Sequence, residues 1–219
     1  TDPKYVDGFV VKLKPDGTHM WSSYLGGKRD DFAYGVGVDG TGYISIGGTT
    51  CSPGWVYGGQ RTETYPWLPP GRPDGFLVHL SPLGQHLWST YVGHGNSPPA
   101  YTVVTTVEVT KHRFIYVGGY VVGGSDAWVT GGPDTTREGT EGFVAKFQMN
   151  TGQQLWATYV GGPGDDYVTS ITSTGTDKAI VGGYSKDLDG LEAWPSSYRV
   201  HGTLQGSQCG FVCLLETNG

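Results

Sequence analysis

A segment that opens with Gly-Phe and closes on Gly recurs along this chain at a nearly constant step. The copies are DGFVVKLKPDGTHMWSSYLGG from Asp7, DGFLVHLSPLGQHLWSTYVG from Asp74 and EGFVAKFQMNTGQQLWATYVGG from Glu141; a shorter one, CGFVCLLETNG, starts at Cys209. Their glycines fall at 8, 75, 142 and 210, steps of 67, 67 and 68, and the tryptophans of the long copies at 21, 88 and 156. A fixed period of this length marks a repeat array, in which each unit buries its apolar surface against its neighbours. The chain reads as one array with units at 7–73, 74–140 and 141–208 and a partial unit at 209–219.

Each full unit holds four runs that read as short strands. In the first they are FVVKL (9–13), HMWSSYL (19–25), AYGVGVD (33–39) and YISIGG (43–48), separated by PDG, GGKRDD and DGTG. In such turns Gly supplies positive φ and Asp bonds its own backbone. The second unit repeats the later runs as TVVTTVEV (102–109) and FIYVGG (114–119), the third as YVTSITS (167–173) and AIVGGY (179–184). The 38 glycines among 219 residues far exceed the usual share of about 7%, and no segment carries a helical period. Phe76, Val78 and Leu80 share one strand face, with Leu77 and His79 on the other. Both faces are largely apolar across the copies, which suits sheets sandwiched between sheets. The pairs Gly47–Gly48, Gly118–Gly119 and Gly182–Gly183 read as strand ends. They are poor phosphate loops, because no Lys-Ser/Thr and no helix follows.

Four short antiparallel strands per unit, repeated radially, describe the blade of a β-propeller, so the expected fold is all-β and propeller-type. The residues DGFVVKLKPDGTHMWSSYLGG followed by DDFAYGVGVDGTGYISIGGTT, with GGPGDDYVTSITS, AIVGGYS and AWPSSYRVHGTLQGSQCGFV in the third unit, resemble the bacterial β-propeller repeat family called SBBP. The resemblance covers nearly the whole chain. It departs in the second unit, where GHGNSPPAY replaces the GG-x-x-DD turn. It implies a propeller fold and export, to an extracellular, cell-surface or periplasmic place, in a family whose members are mostly surface or secreted modules without an established chemistry. The start at Thr1, with no leader pattern, fits a mature exported form or a piece of something longer. In the usual propeller phase AYGVGVD, TVVTTVEV and YVTSITS line the centre and the Trp-bearing run is outermost. The chain then opens with the last two strands of one blade, holds two whole blades and ends three strands into another. Propellers close with about 4–8 blades, so the array is expected to be incomplete: part of a larger propeller, an open array, or one completed by a neighbour.

A formal charge of −6 with no basic stripe argues against nucleic acid, and no apolar run approaches the roughly 20 residues of a membrane-spanning helix. Three cysteines, Cys51, Cys209 and Cys213, are too few for a disulfide scaffold and lack metal-ligand spacing. Cys213 stands where other copies have Val11, Val78 and Ala145 and reads as a small buried hydrophobe.

The candidates for chemistry are few. Asp30–Asp31 and Asp165–Asp166 sit at equivalent turns, where carboxylates either bind Ca²⁺ or cap local N–H groups; the capping reading is preferred because the second unit lacks the acids. His19 and His86 share a repeat position that Gln154 takes in the third unit, and they read as strand-face residues rather than metal ligands. TGQQLW, PDGTHMW and PLGQHLW resemble the blade-docking signature of quinoprotein dehydrogenase propellers, which implies that Trp21, Trp88 and Trp156 lock one sheet to the next. Phe9, Phe76, Phe143 and Phe211 are read as packing residues of the same seams. No G-x-S-x-G or H-E-x-x-H motif occurs, and the chain is read as non-catalytic and without a cofactor.

Three longer segments, 50–73, 121–140 and 186–208, vary most between units and hold Trp55, Tyr57, Tyr65, Trp67, Trp128, Trp194 and Tyr198. Loops this long carry function or pack back on the fold. Exposed aromatics suit protein contacts or sugar stacking; the alternative is that they cover blade edges. The leading expectation is an exported structural or interaction subunit that contacts other proteins. A carbohydrate-binding propeller and a fragment of a propeller enzyme are the alternatives.

Overall fold

The computed structural model describes residues 4–63, 73–93, 100–137, 139–174, 178–186 and 208–215. Tyr65, Trp67, Trp194 and Tyr198 lie outside them. The described residues form thirteen strands and no helix. The first sheet is β1 (Gly8–Leu13) and β2 (His19–Leu25). The second runs in the order β3 (Asp31–Val38), β4 (Ile44–Thr50), β5 (Asp74–Leu80), β6 (His86–Val92). The third runs in the order β7 (Tyr101–Val109), β8 (Phe114–Val122), β9 (Thr140–Gln148), β10 (Gln154–Val160). The fourth is β11 (Asp166–Ser173), β12 (Ala179–Ser185) and β13 (Cys209–Leu215). All neighbours are antiparallel. The division into two, four, four and three strands is the one the repeat phase predicts.

Consecutive sheets pack face to face, and each sheet has two unlike faces. Leu77 of β5 joins a core with Phe143, Ala145 and Phe147 of β9. Val144 of β9 joins one with Phe211, Cys213 and Leu215 of β13. Val10 and Trp21 of the first sheet pack on Phe76, Val78 and Leu80. The Phe-bearing face therefore looks back along the chain, and the intervening residues look forward. At one edge the first strands meet, β7 packing against both β3 and β11; the Trp-bearing strands form the other edge.

The glycine pairs are not strand ends. Gly47–Gly48, Gly118–Gly119 and Gly182–Gly183 lie inside β4, β8 and β12, opposite a register shift in the first strand of each sheet. The reason is close approach: a methyl at Gly47 would stand 2.7 Å from a Val107 methyl of the next sheet, and one at Gly118 2.7 Å from Val168. A strand Gly at such a point admits a neighbouring backbone.

Candidate functional site: the seams between sheets

The tryptophans make the seams. The Trp21 ring lies over Gly84 in the β5–β6 turn, where an added methyl would stand 2.8 Å from it. The Trp21 indole N–H points to the Pro82 carbonyl at 3.4 Å, and Lys12 Nζ donates to the same oxygen at 2.8 Å. One seam on, Trp88 covers Gly152 of the β9–β10 turn and donates to the Met149 carbonyl at 2.7 Å. Each indole thus buries its ring and satisfies its donor in the next sheet's turn. The turn that would receive Trp156 lies outside the described residues; its ring sits 5.9 Å from Tyr116. Phe76, Phe143 and Phe211 are buried in these seams, whereas Phe9 is exposed.

The variable segments carry a repeat of their own. Trp55-Val56-Tyr57-Gly58-Gly59 and Trp128-Val129-Thr130-Gly131-Gly132 run parallel to the outer strands, bridging Gly58 to Ser89 and Gly131 to Ala157. Ser89 and Tyr91 N–H donate to the Tyr57 and Arg61 carbonyls; Ala157 and Tyr159 N–H donate to those of Thr130 and Asp134. The segments therefore cap the edges of β6 and β10, a standard way to protect unpaired strand groups. Trp55 and Trp128 are half-buried and meet Phe76 and Phe143 edge-on, each at 5.1 Å. Tyr57 is exposed and stacks on His86 at 3.9 Å. Trp128 also lines a cavity of about 180 Å³ between the two segments, with Arg61 and Tyr91.

The acidic turns behave as caps. Asp31 Oδ2 accepts from Gly27 N–H and Ser52 Oγ, each at 2.8 Å, and Asp166 Oδ2 accepts from Gly162 N–H at 3.0 Å. Both carboxylates are fully buried, and burial raises the Asp31 carboxyl above its ordinary value. Thr102, also buried, holds the same place in the second unit, against Gly93. Asp30 accepts from Val6 N–H at 3.0 Å, and Asp165 lies 3.9 Å from Lys186. His19 and His86 each meet a serine hydroxyl three residues on, at 3.2 and 3.0 Å. All three cysteines are free thiols; burial pushes that of Cys213 up to about 12.

Between the second and third sheets lies a cavity of about 350 Å³ lined by Asp39, Tyr43, His79, Leu87, Trp88, Arg113, Met149 and Asn150. His79 is buried between Tyr43 and Trp88, with ring centroids at 5.7 and 5.3 Å, and its Nδ1 pairs with Ser45 Oγ at 3.0 Å. Burial lowers its pKa to about 4, so the ring is neutral at pH 7. Asp39 closes its own turn by accepting from Thr41 and Tyr43 N–H, each at 2.9 Å. Arg113 adopts φ +65° and reaches Asn150 Oδ1 at 3.4 Å. Of these residues only Trp88 stands out in the sequence, as a packing residue, although His79 breaking a Lys12–Lys146 series is a further visible signal. No protein-family model matches the chain, and no curated protein sequence matches it.

Proposed function

We propose that this chain is a section of a β-propeller-type repeat array, exported as its resemblance implies, that works as a non-catalytic interaction module. Its partner is protein that presents the same kind of sheet face, from another subunit or from further units of the array. The carrying observation is the first sheet. Phe9 is 67% exposed where Phe76, Phe143 and Phe211 are 0, 0 and 3% exposed, and Tyr24 is 77% exposed where Tyr91 and Tyr159 are 2 and 0%. Val11 and Leu13 continue this uncovered apolar face along β1, and Tyr34, Val36 and Val38 of β3 in the second sheet are exposed as well. What covers these places elsewhere is the preceding sheet together with a Trp-Val-x-Gly-Gly segment. Burying each large apolar side chain stabilises by about 1.5–3 kcal/mol, and a contiguous exposed patch of this kind marks an interaction surface.

The test is sedimentation of the chain over a range of concentrations, beside a variant with Phe9→Ser, Val11→Ser and Tyr24→Ser. Association of the parent that the triple variant loses is the expected result. A parent that stays monomeric and binds no apolar dye on this face removes the proposal.

A further inference from the structure

The cavity at the second seam lies where three departures from the repeat converge. At the position of His79 the flanking copies carry lysines. Lys12 fills its seam by reaching Pro82, and Lys146 lays its Nζ 3.9 Å over the Phe114 ring. The shorter imidazole of His79 stays within the Tyr43–Trp88 stack and opens the seam. In the turn that follows a sheet's first strand, Gly42 adopts φ +89°, whereas the next unit places Arg113 there at φ +65°. A bulky residue in the left-handed region is uncommon and costs conformational energy, so its side chain is a candidate for a role. The β9–β10 turn is one residue longer than its predecessors and brings in Asn150. All three residues line the same cavity.

We propose that this cavity is a binding site for a hexuronate unit, a sugar ring bearing a carboxylate. The floor is apolar and aromatic: His79, Trp88 and Met149 are buried there, and Tyr43 forms a half-buried wall. Such a surface packs against the C–H face of a pyranose. The polar lining comes from two sheets: Arg113 and Asn150 from turns of the third, and Asp39 from a turn of the second. A guanidinium receives a carboxylate through paired N–H donors, and the Asn amide and Asp carboxylate suit ring hydroxyls. The volume of about 350 Å³ lies at the lower end of small-molecule sites. The site is independent of the docking face of the first sheet.

The repeat itself supplies fold-compatible variants. Arg113→Gly restores the glycine of the preceding unit, and His79→Lys restores the lysine of both flanking copies. The probes are D-glucuronate and a short oligogalacturonate, with D-glucose as control, read by ligand-observed NMR and by the shift of the His79 ring protons. The expected result is binding of an acidic probe with Kd on the order of 1 mM, weakened about tenfold or more in Arg113→Gly and abolished in His79→Lys. Both variants should keep the parent's circular dichroism and a cooperative melting transition, which relief of the positive-φ strain raises in Arg113→Gly. Binding of neither acidic probe overturns the proposal. So does glucose binding as tightly as the acids, or unchanged binding in a folded Arg113→Gly chain.

Discussion

The first and second sheets carry nearly the same segment, DGFVVKL against DGFLVHL, and meet opposite fates. Phe76 lies in a core with Val10 and Trp21 before it and Trp55 over it. Phe9, with the same strand neighbours and the same alternation, faces solvent. Strand formation is therefore local, encoded by alternation and turn chemistry, whereas burial is a property of what stands next door. A repeat position has no intrinsic core or surface character until its neighbour is counted.

Truncation gives the largest test of this contrast. Phe76→Ala should cost about 3–5 kcal/mol, and Phe9→Ala should stay within about 0.5 kcal/mol, both read by urea denaturation. Equal losses would mean that something already covers the first sheet. The turn glycines sharpen the comparison. Gly17, Gly84 and Gly152 share a repeat position and positive φ, yet only Gly84 and Gly152 have a tryptophan against them; a methyl at Gly17 meets nothing within 4 Å. Gly152→Ala should cost about 2–4 kcal/mol, and Gly17→Ala only the backbone component of about 1 kcal/mol. Similar costs would show that Trp88 yields easily, and the docking role would fall.

The seams should also differ in their response to acid. The folded-state pKa of His79 is near 4 against an ordinary 6.5. Between these values the unfolded chain binds more protons, so stability is fully present above about 6.5 and is lost as pH falls toward 4. The slope should be on the order of 1 kcal/mol per pH unit within that window. His79→Gln should flatten the profile, and an unchanged slope would assign the loss to other groups. The smallest effect is expected at Asp31. Its carboxyl is raised by burial, so ionisation works against the fold and stability falls as pH rises through the folded value. Asp31→Asn keeps the acceptor for Gly27 and Ser52 and removes the buried charge, as neutral Thr102 does in the second unit. At pH 7 it should be neutral or stabilising by less than about 1 kcal/mol. A clear loss of melting temperature would show that the charge itself matters there.

The strand count and the phase of the repeat were legible because each rests on spacing along the chain, and the docking of Trp21 and Trp88 was legible through a resemblance to a blade-docking signature. The place of the glycine pairs was not, since what stands against Gly47 is Val104 and Val107 of the next sheet, and against Gly118 Val168 of the one after. The edge-capping role of Trp55 and Trp128 was half legible. The Trp-Val-x-Gly-Gly motif is present in both segments, but unlike flanks hide it. The cavity was least legible. Asp39 and Tyr43 come from one turn, His79 and Trp88 from two strands, and Arg113 and Asn150 from two turns of the following sheet. Only the register that brings them together reveals that three local departures share one address.

The two unlike faces of every sheet give the array a direction. The forward face of β13, where Val212 is exposed, is the repeat counterpart of the faces that cover Phe76 and Phe143, and the backward face of β1 is what such a face covers. A contact between two such faces is heterologous: the forward face of one sheet fits the backward face of another, never its own twin. The rotation between successive sheets then decides the outcome, a ring if the steps close and a growing helical fibre if they do not. A single cap that matches one face and not the other would stop growth from that side alone.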